Sequence, residues 1–143
     1  MSIRAIKCEP HKEAVECSLD TDLESLQKAV GGLIEFVYPF DHDVGILCND
    51  EGKLIPLDIS RPILDDDNQV IDLIAGTCYL VGLSNDGDLR DLTDVELKFY
   101  IGYYRYPIYT FAWEFIDDEG EHQRIIDIYP HNNKGRKVKA YGR

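Results

Sequence analysis

The sequence contains no apolar run approaching the ~20 residues that a membrane-spanning helix requires. Its first residues, MSIRAIKCEPHK, lack the apolar core of a secretory signal. Both absences point to the cytoplasm. Closely spaced cysteines are also missing. Cys8, Cys17, Cys48 and Cys78 stand far apart, so neither a CxxC redox pair nor a zinc-type spacing exists. Each lies in an apolar or strand-like run, where cysteine acts as a small hydrophobe. Internal repeats and low-complexity linkers are absent too. What remains is an ordinary globular composition over 143 residues, 44% hydrophobic and 10% aromatic. That is enough chain to bury a core without disulfides or metal.

Charge of one sign dominates. All 27 acidic residues precede His131, together with 10 of the 15 Lys and Arg, leaving a body of −17 and a final segment of +5. Such a body repels nucleic acid and anionic membranes and attracts basic surfaces. Solubility alone also accounts for it.

Hydrophobic alternation predicts strands over 2–8 and 13–19, joined through Glu9-Pro10-His11-Lys12 as a hairpin. Asp20, Thr21 and Asp22 offer N-cap oxygens to a helix ending at Val30, with Leu23, Leu26, Ala29 and Val30 on one face and Gly31-Gly32 as its stop. Strands are predicted over 33–38, 44–48 and 53–57, the last two joined at Asn49-Asp50-Glu51-Gly52, and the natural arrangement is an antiparallel meander. Residues 58–69 read as irregular, Val70–Ile74 as a short apolar segment, and Cys78–Gly82 as a buried strand. A second helix is predicted from Asp94 to Ile101. Then IYTFAWEFI and the return through Ile125, Ile126 and Ile128 form an aromatic hairpin. The last 13 residues, HNNKGRKVKAYGR, read as a mobile basic tail. The expected fold class is α+β: a mostly antiparallel sheet of about seven to nine strands with two short helices. One domain is expected over residues 1–130, with the tail at 131–143.

Three pieces of this pattern carry a resemblance. They are LQKAVGG at residues 26–32, CNDEGK at 48–53 and IAGTCYLVG at 74–82. Together with RPILDDDNQV and LTDVELKFY, they resemble an uncharacterised small-domain family found in phages, plasmids and conjugative elements of Firmicutes. The likeness covers roughly residues 1–100. It implies an accessory protein of a mobile element, without an activity to carry onto residues.

No catalytic set emerges, and an enzyme is not expected. Asp65, Asp66, Asp67 and Asn68 could offer oxygens to a cation, but an EF-hand needs a bidentate Glu at its twelfth position, where Gly76 stands. A solvated loop is the better reading, and neither metal nor cofactor is implied. His11, His42, His122 and His131 pair with no cysteine by spacing. Gly31-Gly32 precedes a strand, not a helix, so it lacks phosphate-loop geometry.

The richest feature is aromatic. Nine of the 15 aromatic residues lie between Phe99 and Phe115. The binding candidates are Tyr100, Tyr103, Tyr104, Arg105, Tyr106, Tyr109 and Trp113, with Asp65, Asp66 and Asp67 as acidic partners. Phe111 and Trp113 suit a core. A buried tyrosine hydroxyl needs a partner, and tyrosine is enriched at interfaces, so the tyrosines suit a contact surface. The expected function is non-enzymatic. The chain would bind and modulate a host protein with a basic surface, as an anti-defence inhibitor or DNA mimic. A nucleotide-sequestering protein is the alternative, with self-association through the tyrosines a further option. Nucleic acid would be met only through the basic tail, and no membrane role is expected.

Overall fold

The computed structural model describes residues 1–40, 42–52, 57–67, 69–129 and 137–140, with backbone alone for 109–113, 124–129 and 137–140. In chain order the elements are β1 (Ser2–Cys8), β2 (Val15–Asp20), α1 (Leu23–Val30), β3 (Ile34–Val37), β4 (Val44–Asn49), β5 (Ile59–Leu64) and β6 (Val70–Ala75). They continue with β7 (Cys78–Leu83), β8 (Leu89–Arg90), α2 (Asp94–Tyr103), β9 (Tyr109–Ile116), β10 (His122–Tyr129) and β11 (Lys137–Ala140). The class is α+β, mostly antiparallel with two helices. The chain forms two compact units, Met1–Pro107 and Ile108–Arg143.

In the first unit the sheet runs β2-β1-β7-β4-β3, with β8 also paired to β7. Every pairing is antiparallel. Of the meander expected over 33–57, the first pair is present as β3–β4, while the other edge of β4 is taken by β7, which inserts between β1 and β4. Its residues CYLVG are buried without a break, and a strand apolar on both faces is stable only at the centre of a sheet covered on both sides. Period-two alternation sorts the side chains. Ile3, Ala5, Leu47, Tyr79 and Val81 face one way and meet Leu26 and Val30 of α1. Ile6, Cys8, Val44, Ile46, Cys48, Cys78 and Leu80 face the other way and meet Leu97 and Tyr100 of α2, Tyr104 just beyond it, and Ile63 and Ile74. Each fully buried aliphatic side chain contributes about 1.5–3 kcal/mol.

Residues 58–69, expected to be irregular, contribute β5 to a two-stranded ribbon with β6. Pro62 misled the sequence reading, because proline argues against a central strand. A ribbon strand has one open edge and accommodates it. The strand expected over 53–57 falls mostly outside the described residues. α2 runs two residues further than expected, to Tyr103.

α1 starts where Asp22 accepts hydrogen bonds from the Ser25 backbone N–H at 3.0 Å and its hydroxyl at 2.8 Å. It stops at Gly31, in the left-handed region at φ 78°. Beyond it, a Cβ on Gly32 would lie 2.8 Å from Asn49 Nδ2. That closeness lets the Asn49 amide donate to Val30 O at 3.1 Å while its Oδ1 accepts from Glu51 N at 2.7 Å.

One buried side chain joins the remaining parts. Arg61, on β5, is 1% exposed. Its Nε donates to Tyr104 O at 2.8 Å, its Nη1 to Ser60 O at 2.9 Å and Glu9 O at 3.1 Å, and its Nη2 to Lys12 O at 2.7 Å. The ribbon, the β1–β2 turn and the end of α2 are thereby tied to one guanidinium. His11, within that turn, is held at φ 66°.

The second unit is a three-stranded antiparallel sheet, β11-β10-β9. The aromatic hairpin is present, with Trp113 opposite Ile125 and Tyr109 opposite Tyr129. The tail is not wholly free, since 137–140 pair with β10 and place Lys137 opposite Asp127. Opposite charges at paired positions favour such a strand, and the period-two signal in KVKA is too short to read from sequence.

Arg61→Ala is expected to lower unfolding free energy by about 3 kcal/mol, because several carbonyls lose their donor together. Arg61→Lys should recover less than half of it, for want of the planar fork. Urea denaturation measures both, and a loss below about 1 kcal/mol would contradict the role given to Arg61.

Candidate protein-contact surface

α2 is fixed at its start by a reciprocal cap. Thr93 Oγ1 accepts from Glu96 N at 3.1 Å, and Glu96 Oε1 accepts from Thr93 N at 2.9 Å. The same carboxylate takes a two-pronged bond from Arg90, Nη1 at 2.8 Å and Nη2 at 3.0 Å. Arg90 also donates to Leu83 O at 2.9 Å and Asp43 O at 3.0 Å, so the helix start is bound to β7 and to the approach to β4. Arg90 holds the Glu96 carboxyl below its usual range.

An ordinary surface helix is apolar on one stripe and polar elsewhere. α2 departs from this. Its inner face, Leu97, Tyr100 and the following Tyr104, is core. Its outer face carries an apolar row beside the exposed Asp94 and Lys98: Val95 is 78% exposed, Phe99 57% and Tyr103 42%, and beyond the helix end Tyr106 is 63% exposed. Val95, Phe99 and Tyr103 are four residues apart, which puts them in one row. Phe99 and Tyr103 lie nearly parallel at 6.0 Å between centroids, and Phe99 meets Tyr100 edge-on at 4.9 Å. Tyr103 packs on Tyr104 at 4.7 Å, and Phe40 completes the group against Tyr100 at 4.9 Å. The rings form one continuous assembly from core to solvent. Being braced from beneath, the outer rings lose little conformational freedom if covered.

The candidate residues divide accordingly. Tyr100 and Tyr104 are buried, which removes them from any contact surface and corrects the reading of the whole tyrosine set as one. The Tyr100 hydroxyl lies 3.4 Å from His42 Nδ1, and burial raises the pKa of both tyrosines. Tyr103 and Tyr106 remain exposed. Arg105 is exposed, 3.7 Å from Glu13, while its carbonyl accepts from Ala14 N at 2.9 Å. Tyr109 and Trp113 belong to the second unit, and their side chains lie outside the described residues. Asp65 directs its carboxylate to its own turn, accepting from Asp67 N and Gln69 N at 2.9 and 2.8 Å. Asp66 and Asp67 are solvated, and among the described residues no group of three His, Cys, Asp or Glu could hold a metal ion. Val95 and Phe99 were missed as surface candidates, because their spacing reads equally well as a core stripe.

Three of the cavities in the first unit are lined by described residues alone. One of about 260 Å³ is acidic, lined by Glu35, Asp50 and Asp72 beside Cys48 and Asn49. One of about 450 Å³ is lined by Phe36, Tyr38, Leu83 and Leu89 with Asp88, and one of about 370 Å³ by Gln27, Leu33, Asn49 and Glu51. None of the three combines a tyrosine or tryptophan with an arginine.

The thiols differ: the hydrogen bond from Cys78 lowers Cys8, while Cys17 and Cys78 are raised. Burial pushes the Cys17 thiol up to about 11. Cys78 is raised by its hydrogen bond to Cys8, its cross-strand neighbour, and by burial.

Residues 3–105 match the family described as a domain of unknown function (DUF3846), so the chain belongs to that family. Comparison with curated proteins and with solved structures found no match. The matched span covers the first unit almost entirely and ends just beyond α2. The three sequence pieces that suggested a family are the joints of that unit. Gly32 admits Asn49, Asn49 caps Val30, and a Cβ on Gly52 would lie 2.8 Å from Ala75 O. No helix among the described residues is long and apolar enough to cross a membrane.

Glu96 holds its proton less tightly when folded, so its contribution is complete above the unfolded value near pH 4.5 and is lost as pH falls through the lower folded value. Glu96→Gln should cost about 1–2 kcal/mol at pH 7, with the gap to wild type narrowing toward pH 3. A gap independent of pH would refute the Arg90–Glu96 assignment. In thiol titration at pH 8, the native cysteines should react about a hundredfold more slowly than in urea.

Proposed function

We propose that this chain is a non-enzymatic accessory protein that binds and modulates a host protein bearing a basic surface, with the outer face of α2 as its contact surface. The observation that carries this reading is the exposed row Val95, Phe99 and Tyr103 with Tyr106 beyond it. These residues form an exposed apolar row outside the buried face of the helix, and contiguous exposed apolar side chains mark interaction sites. Aromatic side chains dominate the energetic centres of interfaces, and a charged surround sets the rate of encounter and the choice of partner. The net charge of −12 favours a basic partner. The family's setting in mobile elements, suggested by the resemblance, would make that partner a host protein, and inhibition of a defence enzyme is one form the modulation takes.

The DNA-mimic version draws less support. Exposed carboxylates are spread over β2 (Glu16, Asp20), α1 (Glu24), β3 (Glu35), the β4 turn (Asp50, Glu51) and the β7–β8 turn (Asp86, Asp88). Nucleotide sequestration lacks a supporting cavity among the three described.

Capture from a host lysate with immobilised protein, at low and at high salt, tests the reading. Wild type should retain a basic protein at low salt and lose it at high salt. Phe99→Asp should cut retention about tenfold or more. Ile71→Asp, at a comparably exposed position on β6, should leave retention intact. Equal retention by all three would refute the surface.

A further inference from the structure

Three of the four cysteines share one row of the sheet. Cys8 on β1 stands directly opposite Cys78 on β7. One position beyond the paired Leu47 and Tyr79, the register brings Cys48 of β4 to the other side of Cys78. All three belong to the cluster on the face covered by α2 and the ribbon, whereas Cys17 packs against the other cluster. Facing residues of an antiparallel pair have Cα atoms about 4.5–5.5 Å apart, within the roughly 4.4–6.8 Å that a disulfide bridges.

A buried charge lies beside this pair. Ser60 Oγ donates to Cys8 O at 3.0 Å, and the Arg61 guanidinium donates to the next carbonyl along, Glu9 O, at 3.1 Å. No carboxylate is among the described partners of that guanidinium, and its positive charge acts on both thiols. The Cys78 hydrogen bond draws the Cys8 thiol below its ordinary range against the cost of burial, and Arg61 adds to the effect. A thiolate at Cys8 would balance Arg61. Access to the row is selective. Cys8 and Cys78 are 0% and 1% exposed, but the cavity of about 260 Å³ is lined by Cys48, Ile63 and Ile74 of the same cluster. A space of that size admits a molecule little larger than water and excludes a bulky thiol reagent.

We propose that Cys8 and Cys78 are a redox-active dithiol that small hydroperoxides oxidise to an intramolecular disulfide, with Cys8 as the nucleophile and Cys78 as the resolving thiol. The Cys8 thiolate attacks one oxygen of hydrogen peroxide and the O–O bond breaks. Cys8 becomes a sulfenic acid, and the departing hydroxide takes the Cys78 proton. The Cys78 thiolate then attacks the Cys8 sulfur, the S–O bond breaks, and the second hydroxide takes a proton from solvent. The two sulfurs together lose two electrons, and the peroxide is reduced to two waters. The product ties the first strand of the sheet to its central one.

The full chain is treated with hydrogen peroxide at neutral pH, its remaining thiols are alkylated in urea, and the peptides are mapped by mass spectrometry. Wild type should give one cross-linked pair, Cys8 with Cys78, while Cys17 is alkylated, and dithiothreitol should restore both thiols. Cys78→Ala should halt at a Cys8 sulfenic acid that dimedone traps. Cys8→Ala should slow total oxidation about tenfold or more. Cys48→Ala should leave the bridge forming. In urea the rate should rise about fiftyfold between pH 6 and 8, following the ordinary thiol, and the rise in the folded protein should be shallower. Should an alanine variant fail to fold, the wild-type map and pH profile decide alone. A main product joining Cys48 to Cys78 overturns the proposal. So do four intact thiols under peroxide that oxidises the chain in urea, sulfinic acid without a bridge, or an equal rise with pH in both states.

Discussion

A buried guanidinium with no carboxylate beside it among its described partners is the constraint on which the first unit depends. Placing a charge in a core is costly unless hydrogen bonds surround it. Arg61 meets that demand with carbonyl oxygens from Glu9, Lys12, Ser60 and Tyr104. Those carbonyls come from the β1–β2 turn, the ribbon and the end of α2. None of the three segments could shift without leaving a donor or an acceptor unpaired. The arginine therefore acts on geometry more than on energy. It sets where α2 ends, and so where Tyr104 turns inward and Arg105 and Tyr106 turn outward.

From that placement the character of the surface follows. Arg90 and Glu96 fix one end of α2, and Arg61 fixes the other. Between them the helix is rigid, with aromatic rings packed through its thickness. The outer rings are held by inner ones, so the exposed face is preorganised. Its apolarity is tolerated in a body whose remaining surface is strongly acidic, because net charge keeps chance contacts apart at moderate concentration.

Much of the fold was legible in the sequence because local chemistry dictated it. Asp22 and Gly31 bounded α1, alternation marked β1 and β2, and unbroken apolar runs marked β4 and β7. Strand order was not legible, since nothing in the period of Cys78–Leu83 says that it pairs with Ser2–Cys8 rather than with its neighbour in sequence. β5 was lost to Pro62, whose tolerance depends on an open edge that only the assembled ribbon reveals. The aromatic segment gave the location of the candidate surface but not its membership. Tyr100 and Tyr103 have the same side chain and lie three residues apart, and only packing against Phe40 and the sheet decides which is sealed. Arg61 looked like one charge among many, because a lone arginine in a mixed stretch carries no sign of burial.

The central position of β7 also has a temporal consequence. Ile6 pairs with Leu80 across more than half of the chain, so β1 waits with one edge bare until residues near 83 have left the ribosome. Until then only the β1–β2 and β3–β4 pairings are open to the chain, each a marginal two-stranded pair with an edge that β7 alone completes. Closing so long a loop is slow. The dense negative charge of the early segments is well placed to keep neighbouring nascent chains from filling that gap themselves.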